Sequence, residues 1–300
     1  MKLIDERDVL PNRNRRRFLT ASVATAAAAW ANTTAAGTPL KFGTTPVFLD
    51  NQIALLGLWQ RYLEQQLGRP VQFVQRGSYR EIVDLLLMDA VDAAWLCGYP
   101  FLLYEQRVEL LAVPRYQGAP LYQSYLIVPE RDTTTRHIAD LKGQVFAFSD
   151  PLSNSGYLVP RVELIRAGTQ PGGFFRRAFF TFAHRKVVEA VQVGLANGGS
   201  VDGYVWDTLV KQQPRSTSGV RVAWRSPKFG FPPLVARSTL SARDREPLAQ
   251  ARFDMSKAEA GGRLLERLNI DGFERGELRT FEGIRELISV SSRVADGAKA

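Results

Sequence analysis

The sequence predicts an α/β fold of two lobes, each a mostly parallel sheet flanked by helices, with two hinge crossings between them. Three observations predict it. Short apolar runs alternate with helix-period segments along most of the 300 residues, the pattern of strands joined by crossover helices. No internal repeat is evident, and an apolar content of 45% is ample for a sizeable core. Two segments, near 121–127 and 226–234, read as crossings, so the chain leaves one lobe and later returns to it. The lobes are then residues 39–122 with 232–292, and residues 126–226; residues 293–300 read as a flexible tail.

The first 36 residues stand apart. Arg15-Arg16-Arg17-Phe18-Leu19 followed by "ASVATAAAAWANTTAA" looks like a bacterial twin-arginine export signal, with cleavage after Ala31 or Ala36. The run is too short and too weakly apolar for a membrane span. The single cysteine, Cys97, lies far from it, so neither a lipoprotein nor an internal disulfide is expected, and the protein is placed in the periplasm.

The remaining elements follow in order. Residues 40–42 begin a strand that opens into Gly43-Thr44-Thr45-Pro46. Leu56, Trp59, Leu63 and Leu67 recur at helical spacing, ended by Gly68 and Pro70. After the strand "VQFVQ", Ser78 and Glu81 form a capping box. "DAAWLCGYP" is a buried strand ending at Gly98, and "VELLAVPRY" another. In the second lobe "QVFAFSD" and "RAFFTFAH" are strands, and Val188, Val191 and Leu195 mark one helix face. "LVAR" returns to the first lobe, followed by helices capped at Ser241 and at Ser256 with Glu259.

Charge narrows the function classes. The chain carries a net charge of +9; the first 36 residues hold six basic and three acidic side chains, which leaves a dispersed +6. Such an excess suits an anionic small molecule and not a nucleic-acid surface. Two histidines and one cysteine do not make a structural zinc site, and no cofactor is expected.

In α/β folds, ligands gather at the loops after strands, here Thr44, Thr45, Cys97, Tyr99, residues 153–157, His184 and Asp207. The stretch "SDPLSNSGYLVP", residues 149–160, ends a strand and opens a helix. A helix start offers unpaired N–H groups and a partial positive charge. Ser153, Asn154 and Ser155 add short donors, and Gly156 allows close approach to the backbone. On the residues alone, three roles compete: a helix cap, an anion cradle and a nucleophile. The nucleophile lacks both a G-x-S-x-G elbow and a positioned base, and no enzyme is predicted.

Together "DAAWLCGYPFLLYE", "YQSYLIV", "DLKGQVFAFSDPLSNSGYLVP", "FFTFAHRKVVEAVQVG" and "VDGYVWDTL" resemble the periplasmic phosphate/phosphite/phosphonate-binding proteins, the PhnD-like group of the type 2 periplasmic-binding fold. The resemblance implies a solute-binding protein that captures a small oxyanion for an ABC transporter permease. It implies Ser153, Asn154, Ser155 and His184 as oxyanion ligands, with Tyr99 and Tyr125 as cleft tyrosines. His184 would donate a hydrogen bond, stronger if protonated in the anion's field; His137 is read as a surface residue. Aminoalkylphosphonate binders place a carboxylate before the returning strand, where this chain reads "KFGFPPLV"; Asp202 or Asp207 is the available substitute. Some proteins similar to this family sense arsenite for a histidine kinase through a cleft cysteine, which makes Cys97 with a sensor-kinase partner the alternative. A monomer is expected in either case.

Overall fold

Leu40, Phe42, Gly43 and Thr44 face inward in the first strand, β1 (Leu40–Thr44), and only Lys41 reaches solvent. In this computed structural model, which describes residues 38–46, 53–169 and 172–297, β1 lies between β2 and β3 in the first sheet. The export signal read from the first 36 residues lies outside the described residues, as do residues 298–300.

Helix α1 (Ile53–Leu67) turns Leu55, Leu56, Trp59, Tyr62 and Leu63 inward, and the Trp59 ring meets Phe42, Phe73 and Trp95. Then come β2 (Val71–Gln75), α2 (Tyr79–Leu87), β3 (Ala93–Trp95), α3 (Gly98–Leu103) and β4 (Val108–Arg115). The expected cap of α2 is present: Ser78 Oγ accepts the Glu81 N–H. A two-residue strand, β5 (Leu121–Tyr122), carries the chain across.

The second sheet begins at β6 (Ser124–Pro129). It continues through β7 (Val145–Phe148), α4 (Val159–Arg166), β8 (Arg177–Phe180), α5 (His184–Gln192), β9 (Gly198–Asp202), α6 (Gly203–Gln212) and β10 (Val220–Arg225). The return crossing is β11 (Phe229–Gly230), which pairs antiparallel with β5. Completing the first lobe are β12 (Leu234–Arg237), α7 (Ala242–Phe253), α8 (Glu259–Leu268), β13 (Gly272–Glu274) and α9 (Glu282–Gly297).

The sheet orders are β13-β4-β12-β3-β1-β2 and β10-β6-β9-β7-β8. The expected parallel pairing holds for three strands of each, β2-β1-β3 and β8-β7-β9. The remaining pairings are antiparallel, because each crossing brings the chain into the sheet from the opposite end. The parallel triplets are what position the site. The loops after β2 and β3 meet the loops after β7 and β8 across the interlobe space.

Three local readings differ. Leu195 lies beyond its helix: α5 stops at Gln192, Gly194 turns the chain at φ +75°, and Leu195 is exposed while Val188 and Val191 are buried. Ser256 does not cap α8, because a 3₁₀ turn over Met255–Lys257 intervenes and α8 begins after Ala258 with no side-chain cap. The terminal helix α9 runs to Gly297, past the expected onset of the tail.

Candidate functional site

At the end of β7 the chain runs Ser149-Asp150-Pro151 and then enters a π-helical turn, Asn154–Leu158, before α4. Pro160 supplies the reason for the wide turn. It has no N–H for the Gly156 carbonyl four residues back, and that carbonyl instead accepts the Ser149 N–H at 3.2 Å. Such π turns are common at functional sites. Ser153 caps the turn, its Oγ accepting the Gly156 N–H at 2.9 Å. Ser149, Asp150, Ser153, Asn154 and Ser155 are all at most 1% exposed despite their polarity.

Gly156 is required by packing. A Cβ on it would lie 1.8 Å from Ser149 Oγ and 3.1 Å from His184 Cε1. Its role is to let the turn settle against Ser149 and the imidazole.

His184 opens α5 and is fully buried. Its Nδ1 accepts the Asp202 N–H at 3.0 Å, which assigns the neutral tautomer and leaves the proton on Nε2. That nitrogen faces the Tyr79 hydroxyl at 3.2 Å and Ser153 Oγ at 3.5 Å. Burial pushes the His184 pKa down to about 3. The ring is therefore a neutral hydrogen-bond donor, and not the protonated one that an anion's field would favour.

Two tyrosines that the sequence reading did not single out complete the cluster. Tyr79, the first residue of α2, presents its hydroxyl to His184 and donates its backbone N–H to Asp150 Oδ2 at 3.1 Å. Tyr122, on β5, accepts from Asn154 Nδ2 at 3.0 Å. Burial, reinforced by Cys97 and the nearby acids, holds both phenols well above their ordinary pKa, so they remain protonated donors. Beneath the turn, Ser124 and Ser200 hydroxyls donate to the Ser155 carbonyl at 2.6 and 2.8 Å. The rule that selected the loops after β1 and β3 applies equally to Tyr79, which follows β2.

Cys97 is 2% exposed, and its Sγ accepts the Asn154 N–H at 3.2 Å. Burial, only partly offset by that bond, pushes its pKa up to about 11, so the sulfur is a thiol at neutral pH and not the thiolate that metalloid binding needs.

The other expected residues sit as follows. Thr44 and Thr45 end β1 and are buried, with Thr45 Oγ1 donating to the Trp95 carbonyl at 3.1 Å. The Tyr99 side chain is half-buried on α3, where burial and then Tyr157 and Arg161 bear on its hydroxyl. Tyr125 and Asp207 meet one another: Asp207 Oδ2 accepts from Tyr125 at 3.2 Å and from Tyr116 at 2.8 Å. Asp207 lies within α6 and not in a loop after a strand, because Asp202 takes the cap and receives the N–H groups of Tyr204 and Val205. His137 bonds Glu163 at 3.2 Å and stacks edge-on against Trp224, so it is half-buried and not a free surface residue.

Four buried side-chain oxygens at these strand and helix ends have no hydrogen-bond partner: Thr44 Oγ1, Ser149 Oγ, Asn154 Oδ1 and Ser155 Oγ. Each unsatisfied group costs about 1–3 kcal/mol, a cost that a bound polar ligand can offset. Ser155 Oγ lies near enough to the Tyr122 hydroxyl to favour its ionised form, yet outside hydrogen-bond geometry. Among the described residues, no group of three His, Cys, Asp or Glu side chains is placed to hold a metal.

A two-lobed α/β fold with a buried polar cluster between its lobes is the architecture of solute-binding proteins. The family model for ABC transporter, phosphonate, periplasmic substrate-binding proteins matches residues 42–281, and the chain belongs to that family. It is 26% identical over 230 residues to the phosphate-import protein PhnD of Mycolicibacterium smegmatis, covering 71% of this chain and 69% of that one. The binding-protein component of an ABC phosphonate transporter from Pseudomonas aeruginosa superimposes with a TM-score of 0.78 at 24% identity, over 85% of this chain and 87% of the other. PhnD1 of Prochlorococcus marinus, solved with methylphosphonate, superimposes with a TM-score of 0.73 at 23% identity, over 83% of this chain and 96% of that chain.

Proposed function

We propose that this protein captures a small phosphorus oxyanion, such as phosphite, phosphate or methylphosphonate, between its lobes and presents it to an ABC transporter permease. The observation that carries the reading is the set of unpartnered buried oxygens beside the neutral His184 donor. Hydroxyls, a neutral imidazole and a helix start can bind an oxyanion without a basic side chain. The relatives, one a phosphate-import protein and one solved in complex with methylphosphonate, favour the same ligand class.

Ligand size and substituent are limited by what surrounds the cluster. The stretch before β12 offers Phe231, fully buried against Tyr116, Tyr122 and Tyr204, where an ammonium group would need a carboxylate. Asp202 is committed to its cap and Asp207 to two tyrosines. An aminoalkylphosphonate therefore finds no free partner. The arsenite reading requires a thiolate, and the buried Cys97 thiol does not favour it.

Calorimetric titration of phosphite, phosphate, methylphosphonate and 2-aminoethylphosphonate tests this. At least one of the first three is expected to bind and the last not to. Ser155→Ala is expected to weaken binding about tenfold or more, the loss of one hydrogen bond to a charged group. If none of the first three binds, the proposal fails.

A further inference from the structure

Among the described residues, no lysine or arginine side chain hydrogen-bonds to the cluster between the lobes. Its ionisable groups are Tyr79 from α2, Cys97 ahead of α3, Tyr122 on β5, Asp150 after β7, His184 on α5 and Asp202 at the end of β9. The phenols and the thiol are neutral, and His184 is held neutral by the Asp202 N–H on its Nδ1. Asp150 and Asp202 are acids whose fields act on Tyr79, and Asp202 acts likewise on Cys97 and Tyr122. Asp207 on α6, beyond Asp202, adds further negative charge.

A second observation is independent of charge. Asn154 Oδ1 is fully buried and unpartnered, while Asn154 Nδ2 is spent on the Tyr122 hydroxyl. A fully ionised oxyanion offers only acceptors and would leave this carbonyl oxygen opposed by another acceptor. A ligand that keeps one hydroxyl can donate to it.

Resting on the function proposed above, we infer that the site selects the singly charged, protonated form of a phosphorus oxyanion, a ligand with one P–OH donor, over dianions including sulfate. Electrostatics and hydrogen bonding point the same way. Burial without a paired cation disfavours a second negative charge on the ligand, and the orphaned acceptor requires a donor. Above the ligand's second ionisation, binding must be accompanied by uptake of one proton from solvent. The proton goes to a ligand oxygen, the one that then donates to Asn154 Oδ1. This device separates phosphorus oxyanions, which retain a proton near neutrality, from sulfate, which does not.

The test is titration of the purified protein with phosphite, and separately with sulfate, from about pH 5.5 to about pH 8.5 in buffers of differing ionisation enthalpy. Phosphite affinity is expected to hold on the acid side and then fall about tenfold per pH unit above the ligand's second ionisation, with about one proton taken up per ligand. Sulfate is expected to bind at least about 100-fold more weakly throughout. Phosphite affinity that is flat or rises with pH, or sulfate binding as tight as phosphite, overturns the inference and leaves the functional reading standing. Absence of binding by any phosphorus oxyanion on the acid side overturns the functional reading itself, and this inference with it.

Discussion

Gly156→Ala is expected to abolish oxyanion binding and to destabilise the protein by about 3 kcal/mol, the upper range for overpacking a close-packed interior. The added methyl would fall 1.8 Å from Ser149 Oγ and 2.6 Å from Ser149 Cβ, with His184 Cε1 at 3.1 Å. Ser149 cannot swing away freely, since its backbone N–H is tied to the Gly156 carbonyl and its own carbonyl accepts from Phe182. The turn must therefore move off the imidazole, and the donors of residues 153–155 move with it. Denaturant melts and phosphite titration of the variant measure both effects. Adding Ser149→Gly is expected to recover part of the stability, because it removes the two closest atoms. Unchanged stability in Gly156→Ala would contradict the packing described for the turn.

The second large effect is on the pH profile of stability. His184 titrates at 6.5 when exposed and at about 3 in the fold. A base whose folded pKa is depressed contributes in full above the unfolded value and loses that contribution as pH falls from 6.5 toward 3. At about 1.4 kcal/mol per unit, the loss is about 4–5 kcal/mol. Asp202 works in the opposite direction. Burial raises its carboxyl from 3.8 to about 8, so its penalty is full above 8 and is relieved as pH falls to 3.8, by about 5 kcal/mol. Asp150, also raised by burial, acts in the same sense as Asp202.

Stability is therefore expected to rise from pH 8 to 6.5, to stay nearly level down to 3.8, and to drop below that. In Asp202→Asn the compensation is gone, while the side-chain oxygen that caps α6 is kept. Stability of that variant should fall by about 4 kcal/mol between pH 6.5 and 3. Urea unfolding across this range reads the result. Identical acid limbs in the two proteins would refute the opposition of His184 and Asp202.

The serine-rich turn was legible in the sequence because its grammar is local. A strand end, an Asp-Pro turn, short polar residues and an apolar-periodic helix all fall within "SDPLSNSGYLVP". The π character of the turn follows from Pro160, yet the distinction between a cradle and a simple cap depends on which oxygens remain unpartnered, and that is set by tertiary packing. Tyr79 and Tyr122 were not legible for the same reason: Tyr79 meets His184 across 105 positions of chain, and Tyr122 meets Asn154 across 32. Tyr99 and Asp207 satisfied the strand-end rule in sequence, but a helix axis decides where a side chain goes. Tyr99 on α3 reaches toward Tyr157 and Arg161, and Asp207 on α6 toward Tyr116 and Tyr125. The neutrality of His184 also came from a distant group, the Asp202 N–H. The lobes themselves were legible because alternating strands and helices mark parallel triplets, whereas the antiparallel strands that each crossing adds carry no separate pattern.

The most direct test of the account is a crystal structure of the protein grown with methylphosphonate. The account predicts the phosphorus centre between the lobes, with its oxygens in hydrogen-bond reach of Ser155 Oγ and His184 Nε2 and no lysine or arginine among its contacts. A ligand bound elsewhere, or one held by a basic side chain, would contradict it.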